Sequence, residues 1–90
     1  MKRDYDDPVY KEWRLRVFKR DNFTCQMPSC GRKKRLNAHH IRKWSSASNL
    51  RYDVDNGITL CRNCHDSING LESHYEPLFS QIVRQKNGKL

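Results

Sequence analysis

Apolar positions along this chain keep a helical or strand period in short runs, separated by stretches that are almost wholly polar. In "DDPVYKEWRLRVFKRDNF", Val9, Trp13 and Val17 recur every four residues with Tyr10 and Phe18 alongside, the spacing of one buried helix face. Asp7 suits an N-cap and Pro8 the first helical position, so a helix is expected over residues 8–20. Its apolar residues are read as core, and Trp13 is given no part in any chemistry. "CQMPSCGRKK" follows as a tight turn, marked by Pro28, Ser29 and Gly31. "LNAHHI" reads as a short strand and "GITLC" as a second, rich in β-branched and apolar residues, with the polar loop "SSASNLRYDVDN" between them. "RNCHDSING" begins a helix with Gly70 near its end. A last helix is expected over residues 77–86, opened by Pro77 and carrying Leu78, Phe79, Ile82 and Val83 as an apolar stripe. The order of elements makes the chain, residues 1–90, a single α+β domain.

Composition tightens this picture. Hydrophobic residues are only 36% of the 90, and the mean hydropathy is −1.02. A core that small needs a staple: disulfides, a metal or a partner subunit. No apolar run approaches the roughly 18 residues of a membrane span. "MKRDYDDPVY" is charged and lacks the apolar run of a signal peptide. A cytoplasmic protein without membrane contacts is therefore expected, as a monomer or weak dimer. Cysteines at metal-ligand spacing in that compartment favour zinc over disulfides.

Charge points to a partner. The formal net charge is +8 and the sequence pI about 9.6, which suits a polyanion. Positive residues thicken in "GRKKRLNAHHIRK", where Arg32, Lys33, Lys34, Arg35, Arg42 and Lys43 bracket two histidines. A solvated basic face is the plain reading. Phosphate binding is preferred because the charge gathers around candidate chemistry. Charge alone does not separate DNA from RNA.

The four cysteines come as two close pairs, Cys25 and Cys30 with four residues between them and Cys61 and Cys64 with two. Zinc takes four thiolates in a tetrahedron, and loops of this length let each pair grip one side of the ion. Two disulfides conflict with the compartment, a redox Cys-x-x-Cys leaves the other pair unexplained, and four free thiols need coincidental pairing. A structural zinc tying the knuckle to the start of the later helix is the expectation.

"AHHI", "DVDNGITLC" and "CHDSING" form a second constellation. His65 and Asn69 are four apart and share one face of a helix, and His39 can join them from the first strand. Two imidazoles with an amide oxygen make an incomplete ligand set, suited to a divalent ion with open positions for water and a phosphate oxygen. His40, next along a strand, points the other way. Each residue also has a plainer reading. His40 can be a strand histidine, Asn56 the start of an Asn-Gly turn, and His65 a neighbour of the zinc. His74 matches no motif and is read as a surface residue.

Taken together, the first cysteine pair with its four-residue spacer, "AHHI", "RYDVDNGITLCRNCH" and a following helix resemble the HNH endonuclease family, especially its small zinc-containing members common in bacteriophages and prophages. The likeness runs from about Arg20 to Gly70. It implies a ββα-metal fold stapled by a four-cysteine zinc knuckle, flanked by N- and C-terminal helices, that hydrolyses DNA phosphodiesters with a divalent metal. It implies His39 as the strand ligand (an aspartate in many relatives), His40 as the general base, Asn56 as the brace of the base's loop and His65 as the helix ligand. Asn69 stands where many relatives carry a second helix histidine, so it ligates the metal, contacts a water or caps the helix.

The implied cofactors are a structural Zn2+ and a catalytic Mg2+, Mn2+, Ni2+ or Zn2+. Double-stranded DNA is the expected partner, nicked or cut through both strands. Low sequence specificity is expected because no separate recognition module is visible. Some phage relatives work beside the packaging terminase, which makes that machinery a candidate partner. The scissile phosphate would lie between base and metal, so a twisted or distorted strand end is expected. Activity should fall below about pH 6 as imidazoles protonate. The competing reading is a zinc-stapled nucleic-acid-binding module without catalysis. It explains the charge and the cysteines, but not why His39, His40, Asn56 and His65 occur together.

Overall fold

Residues 7–42 and 51–86 are described by a computed structural model. The Asp7 carboxylate accepts the Val9 N–H at 2.9 Å, Pro8 takes the first position, and helix α1 covers Pro8–Arg20 as expected. Trp13, Val17 and Phe18 are buried, whereas Val9 is half exposed. Strands β1 (Leu36–His40) and β2 (Gly57–Cys61) pair antiparallel, from Leu36 opposite Cys61 to His40 opposite Gly57. A single 3-10 turn, Val54–Asn56, leads into β2, and α2 (Arg62–Ser67) follows it directly. Helix α3 spans Glu72–Lys86.

Alternation along the strands assigns the helices to faces. Gly57 looks toward α1, where an added Cβ would come within 2.6 Å of both Trp13 Cζ2 and Val17 Cγ2. Only glycine permits this approach, so α1 lies directly on the strand. Ile58 and Leu60 look the other way and pack with Ile68, Phe79 and Val83 of the α2–α3 side. The architecture is α+β: one two-stranded sheet between α1 and the pair α2 and α3.

Several expectations need correction. Pro77 does not open the last helix, which starts five residues earlier at Glu72. The N–H groups of His74 and Tyr75 bond to Leu71 O, and Tyr75 stacks on Phe79 at 5.6 Å. This first turn is therefore held before the proline, which removes only its own N–H from the ladder. Leu78 lies at the rim, 37% exposed, while Phe79 and Val83 are buried. The pairing of β1 is regular to its last residue, so the expected distortion of that strand end is not in its register. Lys43 and the first half of the polar loop fall outside the described residues. Among the described residues no helix is long and apolar enough to cross a membrane.

Candidate functional site

The cysteine pairs meet at one end of the sheet. Ser29 and Gly31, at φ 70° and 73°, turn the knuckle back on itself, and Cys25 N–H bonds to Arg32 O at 2.7 Å. Cys61 ends β2 and caps α2, its sulfur accepting from Cys64 N–H at 3.5 Å. All four Sγ atoms lie within 4.8 Å of one another, and none is in a disulfide. The chain thus brings together the four sulfurs expected, as a set able to hold one metal ion.

The four thiols do not hold their protons equally. Burial, then the neighbouring sulfurs, push the Cys64 thiol well above its ordinary value, and burial likewise raises Cys25. At Cys61 burial acts in the same direction but is outweighed by the Cys64 N–H and the adjacent sulfurs, which bring it down to about 7. Thiols this close share their protons unevenly; a divalent ion would let all of them ionise.

The histidines lie at the other end. His39 and His40 are the last two residues of β1, both buried, and point to opposite faces. His40 stacks flat on Trp13, with ring centroids 4.1 Å apart and planes 13° apart. Trp13 is fixed in turn by its Nε1–H donating to Asp53 O at 2.9 Å. The His40 Nε2 lies 2.8 Å from Arg51 O. A carbonyl only accepts, so at this contact Nε2 carries the hydrogen.

Across the sheet, the His39 ring stands edge-on to His65 of α2 at 5.6 Å and to Phe79 of α3 at 5.7 Å. The two rings face one another from β1 and α2, as imidazoles that share an ion must. His65 Nδ1 also lies 4.0 Å from Asp66 Oδ1. Asn69 does not join them on the helix, as the four-residue spacing predicted. Helix α2 ends at Ser67, and Gly70 at φ 86° reverses the chain. Asn69 is left exposed in the turn, its N–H bonded to Asp66 O at 3.2 Å.

Asn56 grips the backbone just past His40. Its Oδ1 accepts from Arg42 N–H at 2.9 Å, its Nδ2 donates to Arg42 O at 3.3 Å, and its own carbonyl accepts from Ile41 N–H at 2.8 Å. The amide side chain thus adds one more rung beyond the strand pair.

Sequence reasoning missed what holds this end together. Trp13, read as plain core, carries the His40 ring. Arg20 donates to Val54 O at 2.7 Å and to Gly57 O at 2.6 Å, clamping both flanks of Asn56. Its guanidinium is paired with the buried Asp21 carboxylate at 2.8 Å, which also accepts Thr59 N–H at 2.9 Å. An apolar period can mark Trp13 as buried, but nothing local tells which ring it meets.

The basic residues divide. Arg32, Lys33, Lys34 and Arg35 line a cleft of about 580 Å³ with Cys61, Arg62 and Asn63, beside the cysteines. Arg42 sits at the histidine end, 3.8 Å from Glu76, with both side chains partly in solvent.

A strand pair followed by a helix that sets one histidine against another on the first strand is a ββα arrangement of the metal-dependent nuclease kind. The chain belongs to the HNH endonuclease family, whose family model matches residues 25–70, just over half of its length. The family's activity is of nuclease type, on nucleic acid and with a divalent metal. Comparison with curated proteins returned no match, and neither did comparison with solved structures.

Proposed function

We propose that the protein is a metal-dependent DNA endonuclease in which His40 is the general base and His39 and His65 hold the catalytic ion. One observation carries this reading: the adjacent histidines diverge into two differently equipped environments. His40 has a ring held flat by Trp13 and a hydrogen on Nε2 committed to Arg51 O. With Nε2 so engaged, the other ring nitrogen of a neutral His40 would take the proton of an attacking water. His39 meets a second imidazole instead. A divalent cation bound there would stabilise charge on the non-bridging oxygens and on the leaving 3′-oxygen. Asn56 acts as a positioning residue, because it holds the Arg42 backbone and with it the strand end that presents His40. The exposed Asn69 is given no ligand role.

The cysteine cluster is proposed to hold zinc. Bonds of roughly 2.3 Å in a tetrahedron separate sulfurs by about 3.8 Å, which is the Cys30–Cys61 separation of 3.8 Å. Four soft thiolates and no open position make a structural centre. The working ion at His39 and His65 is magnesium, manganese, nickel or zinc, since nitrogen donors and water suit each of them.

Supercoiled plasmid incubated with the zinc-loaded protein and magnesium, manganese, nickel or added zinc tests the reading. Open-circular or linear product that disappears with chelator is expected. Tight binding without cleavage in any of the four metals would reduce the protein to a binding module.

A further inference from the structure

The cleft beside the cysteines lies apart from the histidines. Five of its seven lining residues are cationic, Arg32, Lys33, Lys34, Arg35 and Arg62, and none is acidic. Two of the cationic heads are held in place. Lys33 Nζ donates to Thr24 Oγ1 at 2.7 Å, and Arg62 Nε to Asp66 Oδ2 at 3.1 Å. The walls are tied together by Arg62 N–H bonding to Arg35 O at 2.8 Å. Lysine and arginine stems with Cys61 make the interior apolar, while their heads stay at the rim. This is more positive charge than a divalent ion with four thiolates needs as compensation. An apolar interior with a cationic rim also fits a sugar with its phosphate better than a free anion.

The position of the cleft gives it a second property. Arg35 precedes β1 and His39 lies four residues on, about 13 Å along a strand rising roughly 3.3 Å per residue. Helix α2 borders both sites, with Arg62 and Asn63 in the cleft and His65 against His39. One DNA strand rises roughly 3.4 Å of helix axis per phosphate while winding around that axis, so a site at this distance meets the same backbone a few nucleotides away.

We infer that this cleft is a second DNA subsite, which anchors the sugar–phosphate backbone a few nucleotides to one side of the bond cut at the histidines. The inference rests on the endonuclease reading above. It makes binding lopsided: the enzyme needs duplex on the cleft side of the cut and much less on the other.

The test compares wild type with the double variant Arg32→Gln, Lys34→Gln, both side chains being exposed. Metal content and thermal unfolding serve as checks that the knuckle is intact. Binding to a duplex of about two helical turns is followed by fluorescence anisotropy over a range of salt, without added divalent metal. Each lost phosphate contact lowers the slope of log K against log salt by about 0.9, so the double variant should lose up to about 1.8. End-labelled duplexes then locate the cuts. Wild type should leave a few nucleotides uncut at one end of each strand, and the variant should cut into that zone. An unchanged slope overturns the subsite, as do cuts by wild type that approach both ends equally. Displacement of the duplex by inorganic phosphate at matched ionic strength would mark an ion pocket and overturn it too. If wild type cuts nothing in any metal, the endonuclease reading fails, and the salt slope still decides whether the cleft binds DNA.

Discussion

The two ends of the sheet solve different problems with the same two strands. At the Leu36–Cys61 end, four sulfurs from two short loops converge and form a closed set. At the His40–Gly57 end, two imidazoles turn to opposite faces and are held by partners from distant parts of the chain. The first end is built locally, by a tight turn and a strand-to-helix junction. The second is built by how α1 lies across the sheet, through Trp13 on His40 and Arg20 on the backbone around Asn56. On the proposed reading, a clasp of this kind can be strong while the histidine end stays open, because the residues that would hold the structural ion are not those assigned to the chemistry.

Removing the clasp should have the largest effect. Structural zinc contributes on the order of 10–16 kcal/mol of apparent binding free energy in zinc-finger peptides, more than a domain of this size has in reserve. Stripping the cysteine-bound metal with a strong chelator, or Cys61→Ser, should therefore abolish cooperative thermal unfolding followed by circular dichroism. Retention of a sharp transition in metal-free protein would show that the fold does not depend on the clasp.

Trp13 tests the other end. Trp13→Ala should cost about 3–5 kcal/mol through the cavity it leaves, a loss of stability read by urea denaturation. Trp13→Phe keeps a ring over His40 and gives up the bond to Asp53 O, which costs about 0.5–1.5 kcal/mol. This milder variant should fold, with a kcat reduced more than KM is raised, since the His40 ring is less firmly set. An unchanged kcat in folded Trp13→Phe would confine Trp13 to core packing.

The parts of this division that were legible in the sequence are the local ones. Helix α1 and strand β2 carry complete signals: an Asp-Pro start before a four-residue apolar repeat, and a β-branched run ending in cysteine. The cysteine spacing likewise predicts the meeting of the four sulfurs. Local signals failed where two of them competed. Pro77 outweighed the Tyr75–Phe79 contact that starts α3 earlier, and the His65–Asn69 spacing ignored the reversal at Gly70. The long-range partners were illegible altogether. Arg20 reaches Gly57 across 37 positions, and a basic residue at a helix end gives no hint of buried carbonyls to be found there.

A smaller effect separates the ends by pH. The general base acts only when neutral, so cleavage should fall about tenfold per pH unit once the base is mostly protonated. A profile of kcat/KM with cysteine-bound metal measured in parallel checks this. Cleavage should decline as the pH is lowered while the clasp is still loaded. A rate that stays flat to pH 5 would remove His40 from the role of base.

The most direct test of the account asks whether the neighbouring histidines do separate work. His39→Ala and His40→Ala, each folded and loaded at the cysteines, would be compared with wild type for manganese binding by calorimetry and for plasmid cleavage. The account predicts that His40→Ala keeps the manganese site and loses cleavage by about 10²–10⁴-fold, whereas His39→Ala loses manganese binding and cleavage together. Loss of manganese in both variants, or cleavage by His40→Ala at the wild-type rate, would contradict it.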